Sequence, residues 1–128
     1  MQGVIRTSKI GSENRLSIPD WIKDNIVYDH PLFGACIEWH FDNDTQIGVA
    51  ACERLDDFTH LRRTEVINDG SNIRPPQILV DNIESFTEDE KVAIYYSEHI
   101  NENMIYFLTE QKLFEEIKSN GGLFQNFL

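Results

Sequence analysis

The stretch Gly11-Ser12-Glu13-Asn14-Arg15-Leu16-Ser17-Ile18-Pro19-Asp20-Trp21-Ile22 decides how this chain is read. Four polar turn-forming residues open it, and glycine with asparagine and serine is the composition of a tight reversal. Arg15 to Ile18 then alternates polar and apolar, the signature of a short half-buried strand. Pro19 follows at a position where its missing N–H costs nothing, the first turn of a helix. That helix is expected to run to Ile26, with Trp21, Ile22 and Ile26 on one face.

The same order returns 57 residues later, in Gly70-Ser71-Asn72-Ile73-Arg74-Pro75-Pro76-Gln77-Ile78-Leu79. At that constant offset Arg6-Thr7 meets Arg63-Thr64, Ile10 meets Ile67, Pro19 meets Pro76, and Asp24-Asn25-Ile26 meets Asp81-Asn82-Ile83. Ile37 meets Ile94 and Glu53 meets Glu110, while Trp39 falls on Tyr96 and Ala35 on Val92. An ungapped register over this length reads as an internal repeat.

Working outward, each repeat begins with a short strand, 4–10 in the first and 63–67 in the second. The turn, the second short strand (15–18; 72–74) and the helix follow. A hairpin comes next: 35–41 turning through 42–45 into 46–52, and 92–96 turning through 99–103 into 104–109. A closing helix is expected over 54–61 and again over 110–118, where Leu113, Phe114 and Ile117 form an apolar stripe. The fold class is therefore mainly β with short helices (α+β), as two tandem β-β-α-β-β units. Residues 1–61 form the first repeat, 62–118 the second, and 119–128 an apolar C-terminal tail. A unit this small has few ways to bury its apolar faces alone. Two of them packed about a pseudo-twofold axis would make an intrachain pseudo-dimer.

The turn-Arg-apolar-Ile-Pro-helix pattern of residues 11–22, with its degenerate copy at 70–79, resembles the signature of the AbrB/MazE/SpoVT swapped-hairpin family. The resemblance covers the first half of each repeat; the later hairpins match in outline. It implies interleaved N-terminal hairpins, binding of double-stranded DNA, and a role in transcription regulation or as an antitoxin. Basic residues of the hairpin and helix start would touch phosphates, which here are Arg6, Lys9, Arg15 and Lys23. In the second repeat Arg63 matches Arg6, but Val66, Asn72 and Val80 replace the other three, with Arg62 and Arg74 as nearby substitutes. Either the first repeat contacts DNA more strongly, or the second is mainly scaffold.

Charge bears on the same question. The 128-residue chain carries 22 acidic and 11 basic residues, a net charge of −11 that repels nucleic acid in general. Up to Lys23, however, there are four basic and two acidic residues. Positive charge is thus segregated at the repeat starts, as a groove-binding face requires. The acidic remainder suits a salt-rich cytoplasm or is ordinary acidic composition. It also supports the alternative function, a protein-interaction or antitoxin-like scaffold that does not bind DNA. In that reading the acidic surface or the tail Leu123-Phe124-Gln125-Asn126-Phe127-Leu128, beyond Gly121-Gly122, engages a partner or another subunit; alternatively the tail covers its own core.

No constellation for catalysis is present: no Gly-rich phosphate loop, Ser elbow, HExxH or CxxC. An enzyme is not expected, nor a cofactor. His40 and His60 lack metal-ligand spacing, and the run Glu88-Asp89-Glu90 reads as a solvated loop rather than a calcium site. Cys36 and Cys52 fall in strands of one hairpin, where they either face each other or are two small buried thiols. No apolar run reaches membrane-spanning length and no leader pattern is seen, so a cytoplasmic location without membrane association is expected.

Overall fold

The computed structural model describes residues 4–9, 11–66, 72–83, 91–97 and 101–109, together with Gly70, Lys112, Phe114, Glu115 and Lys118. Over the continuous described stretches it is mainly β with two short helices. The elements are β1 (Val4–Lys9), β2 (Leu16–Ser17), α1 (Asp20–Ile26), β3 (Tyr28–His30), β4 (Gly34–Asp42), β5 (Ile47–Ala51), β6 (Thr59–Glu65), β7 (Asn72–Ile73), α2 (Gln77–Asn82), β8 (Lys91–Ser97) and β9 (Asn101–Thr109). Each helix starts directly after a proline. Pro19 and Pro76 hold the cap position, and their carbonyls accept the first helical N–H bonds from Ile22 and Lys23, and from Leu79 and Val80. Helices this short are not stable alone, so packing holds them in place.

Seven strands form one antiparallel sheet that draws on both halves of the chain, and β2 with β7 forms a separate two-stranded ribbon. Cys36 pairs with Tyr28 and with Glu65, and Glu38 with Ala51 and with Arg63. Hence β3 and β5 share one edge of β4, and β6 takes the other. The long path is β1-β8-β9-β5-β4-β6, with the first strand of each half paired to the hairpin of the other. At its centre Val49 lies opposite Tyr106, with Gly48 opposite Phe107 and Ala50 opposite Ile105.

Alternation along the strands sorts side chains onto two faces. On one, Ile37, Trp39, Phe41, Ala50, Ile105 and Phe107 pack beneath Ile22, Ile26, Leu79, Val80 and Ile83 of the helices, with Leu16 and Ile73 closing the ribbon over them. On the other, Ile47, Val49, Ala51, Met104, Tyr106 and Leu108 form a second cluster, against which Leu55 and Phe58 pack. Gly48 lets α2 settle on the sheet, because a Cβ there would lie 3.0 Å from Leu79 Cδ1 and 3.3 Å from Ile83 Cδ1.

Three expectations need correction. The closing helix over 54–61 does not form: residues 54–58 are loop and turn, and Thr59–Glu65 is a strand on the edge of β4. Hydrogen bonds to β4 outweigh the local pattern there. Trp21 does not share the buried helix face; it is 43% exposed, one position before Ile22, and its counterpart in α2, Ile78, which the repeat places on the equivalent face, is 45% exposed. Cys36 and Cys52 do not face each other, since Cys36 lies opposite Tyr28 and Glu65; both are free thiols raised above the usual thiol pKa by burial. Strand β3 was not anticipated, and β9 begins at Asn101, inside the expected turn. Within the expected closing helix 110–118, Lys112, Phe114, Glu115 and Lys118 are helical; its other residues, the tail 119–128 and the Glu88-Asp89-Glu90 run lie outside the described residues. No helix among the described residues is long and apolar enough to cross a membrane.

Candidate nucleic-acid interface

The ribbon is built from the two motif stretches, with Leu16 opposite Ile73 and Ser17 opposite Asn72. The turn before it is tight: Gly11 N–H donates to the Arg15 carbonyl at 2.9 Å, with Glu13 and Asn14 both left-handed at φ 58° and 59°. Asparagine tolerates that region; glutamate there is strained, and its carboxylate is tied down by Arg74 at 3.2 Å. Asn14 donates to Gln77 Oε1 at 3.1 Å, and Lys23 Nζ to the Gly70 carbonyl at 2.6 Å. Each motif is thereby stitched to the other by polar contacts.

Arg62 and Arg63 on β6 and Arg74 beyond β7 line one groove of about 670 Å³, together with Phe33, Thr64, Glu65, Pro75, Pro76 and Gln77. Arg63 is held from below. Its Nε donates to Glu38 Oε2 at 2.8 Å and to Tyr28 Oη at 3.0 Å. Glu38 is buried in β4, where Tyr28 Oη donates to it and His60 Nε2 stands 2.7 Å from Oε1. Burial by itself raises the Glu38 pKa, but the bonds from Tyr28, Arg63 and His60 outweigh it and hold the carboxyl below its usual value. Tyr28 is raised, first by burial and then by the bond to Glu38.

A bulge makes this cluster possible. Trp39 pairs with Arg62 but His40 with His60, so Leu61 is the extra residue. His40 is fully buried, accepts the Leu55 N–H at Nε2 (2.9 Å), and has its ring 5.2 Å from that of His60. Its Nδ1 has no hydrogen-bond partner among the described residues. At the far end of β4, Asp42, Asp44, Asp56 and Asp57 gather around a cavity of about 270 Å³. These four aspartates therefore lie toward the other end of the β4–β6 pair from Arg62 and Arg63. Among the described residues no group of three or more His, Cys, Asp or Glu side chains is placed to hold a metal.

Of the seven basic residues singled out from sequence, Arg62, Arg63 and Arg74 converge on the groove. Arg15 is exposed one residue beyond the paired ribbon, and Lys23 donates to the Gly70 carbonyl through an exposed hydrogen bond. Arg6 and Lys9 stand on β1 opposite Ile94 and Lys91, at the other end of the strand order. Sequence reading missed Glu38, Tyr28, His60 and Phe33. The one available signal was in β4, where Cys36, Glu38 and His40 alternate with Ile37, Trp39 and Phe41. No protein-family model, curated protein or solved structure matches the chain.

Proposed function

We propose that this chain is a non-enzymatic DNA-binding transcription regulator of the AbrB/MazE/SpoVT type, two swapped-hairpin repeats in one chain. Support for the repeat comes from pairing. Leu16 with Ile73 and Val49 with Tyr106 are residue pairs 57 apart that lie directly opposite each other. In the path β1-β8-β9-β5-β4-β6 the strands equivalent at that spacing are β1 and β6, β8 and β4, and β9 and β5, an order that reads the same from either end.

The observation that carries the function is the convergence of Arg62, Arg63 and Arg74 on one groove, beside the ribbon whose first strand Arg15 immediately precedes. Guanidinium groups clustered in a concavity suit phosphate oxygens, and the acidic residues of the β4 turn are kept at the far end. The test is binding of the purified chain to duplex DNA across a salt series. Arg62→Ala and Arg15→Ala should each weaken binding and reduce the salt slope by about 1. Unchanged slopes in both variants would remove the assigned face. The acidic cavity of Asp42, Asp44, Asp56 and Asp57 favours a second reading, a scaffold for a basic protein partner, which gains if no duplex binds at any salt.

A further inference from the structure

The turn joining β3 to β4 projects an apolar tip. Leu32 is 81% exposed and Phe33 48% exposed. The tip is braced rather than loose. Leu32 N–H donates to His30 Nδ1 at 3.0 Å, and Gly34 closes the turn at φ +74°, a conformation glycine adopts without strain. The His30 ring lies against Phe33 with centroids 4.8 Å apart, and Tyr28 meets His30 edge-on at 6.2 Å. Arg63 Cζ stands 5.9 Å from the Phe33 ring centre.

Cations flank this tip. Phe33 is itself a wall of the groove that Arg62, Arg63 and Arg74 line. Arg63 spends its Nε on Glu38 and Tyr28, and neither Nη has a partner among the described residues. Arg62 has no side-chain hydrogen bond or ion pair with another described residue, and Arg74 reaches the groove while bonded to Glu13. Exposed large apolar side chains are costly to keep in water, and a rigid pair beside arginines matches the wedges that part base steps in bent DNA.

We infer that Leu32 and Phe33 form a wedge that enters the minor groove and unstacks one base step, while Arg62, Arg63 and Arg74 hold the flanking phosphates. This rests on the DNA-binding reading and adds to it how the duplex is deformed. An anionic membrane surface is the competing occupant for such a tip. The concavity lined by Arg62, Arg63 and Arg74 suits the phosphates along one strand of a duplex better than a flat bilayer.

The test uses the full chain and a 2-aminopurine duplex with a central TA step, a step that opens readily, carrying a donor and an acceptor dye at its ends. Binding should raise the 2-aminopurine fluorescence and bring the ends together by a bend of roughly 20–90°. Leu32→Ser, at a position 81% exposed, should leave the melting temperature nearly unchanged while abolishing both signals and weakening binding by about tenfold. Phe33→Ser should abolish the same signals, with its melting temperature measured alongside because Phe33 also packs on His30. Arg62→Ala should weaken binding yet keep the bend at saturation. Salt-sensitive duplex binding with neither signal overturns the wedge and leaves the DNA reading standing. Absence of duplex binding at every salt concentration removes both. Leu32-dependent binding to phosphatidylserine vesicles without a DNA signal assigns the tip to a membrane and overturns the proposal.

Discussion

Leu16 of β2 lies directly opposite Ile73 of β7, and both side chains are buried at the point where the two motif stretches meet. They share one core cluster with Ile18, Ile22 and Ile26 of the first half and Leu79, Val80 and Ile83 of the second. Each depends on the other half of the chain, which makes the ribbon the joint of the molecule.

Truncating either one should therefore be expensive. Leu16→Ala and Ile73→Ala are each expected to cost about 2–5 kcal/mol, because apolar surface is lost and a cavity is left in the cluster they share with Ile22 and Leu79. Their combined effect should differ from the sum, since they share one contact. Urea unfolding of the two single variants and the double variant measures this. Losses under about 1 kcal/mol would mean that the ribbon is peripheral.

The buried Glu38 should govern the acid limb of stability. A carboxyl whose folded pKa is depressed adds stability above its unfolded value, about 4.3, and loses it as pH falls through the folded value. Arg63→Ala removes one donor while burial continues to favour the neutral acid. The folded pKa of Glu38 rises, and acid unfolding should move to higher pH. In a Glu38→Gln background the same substitution should leave the acid transition in place. Circular dichroism against pH reads both, and an acid midpoint unmoved by Arg63→Ala would refute the coupling.

A second window opens nearer neutrality. Burial, aided by the charge of His60, pushes His40 below the usual histidine pKa. Its bond from Leu55 N–H needs an unprotonated Nε2. The unfolded chain then binds the extra proton, so stability should fall as pH drops through about 6.5 and level off below the folded value. His40→Gln should flatten that part of the denaturation-versus-pH curve and cost about 1–3 kcal/mol at neutral pH, by leaving the Leu55 N–H unpaired. A slope equal to wild type would assign the window to another group.

Gly48 tests the seat of α2. Valine there would drive its side chain into Leu79 and Ile83 on the core side of β5. The expected loss is about 1–3 kcal/mol from overpacking, even though valine favours strand conformation more than glycine does. A raised melting temperature for Gly48→Val would show that α2 packs less closely than the 3.0 Å approach demands.

Much of this architecture was legible because its signals are local. Pro19 and Pro76 mark the helix starts, since a proline cannot donate inside a helix or a ladder. The 42–45 turn follows from Asp42, whose carboxylate accepts from Asp44 N–H at 3.0 Å and Thr45 Oγ1 at 2.9 Å. The apolar alternation of β4 and β5 and the recurrence at 57 residues are likewise written in the chain itself.

Other features depend on partners distant in sequence, and these only the tertiary structure decided. Residues 59–65 read locally as the end of a helix and the start of a strand, yet the edge of β4 makes them a single strand with Leu61 bulged. Glu38 looked like any charged strand residue until β3 and β6 brought Tyr28, His60 and Arg63 onto its two oxygens. Arg62 and Arg63 gained Arg74 as a neighbour only when the ribbon folded against β6. Turn and helix signals act over a few residues and survive in one dimension. Pairing across an edge, burial of a charge and convergence of cations are products of chain crossings, and a chain crossing has no local signature.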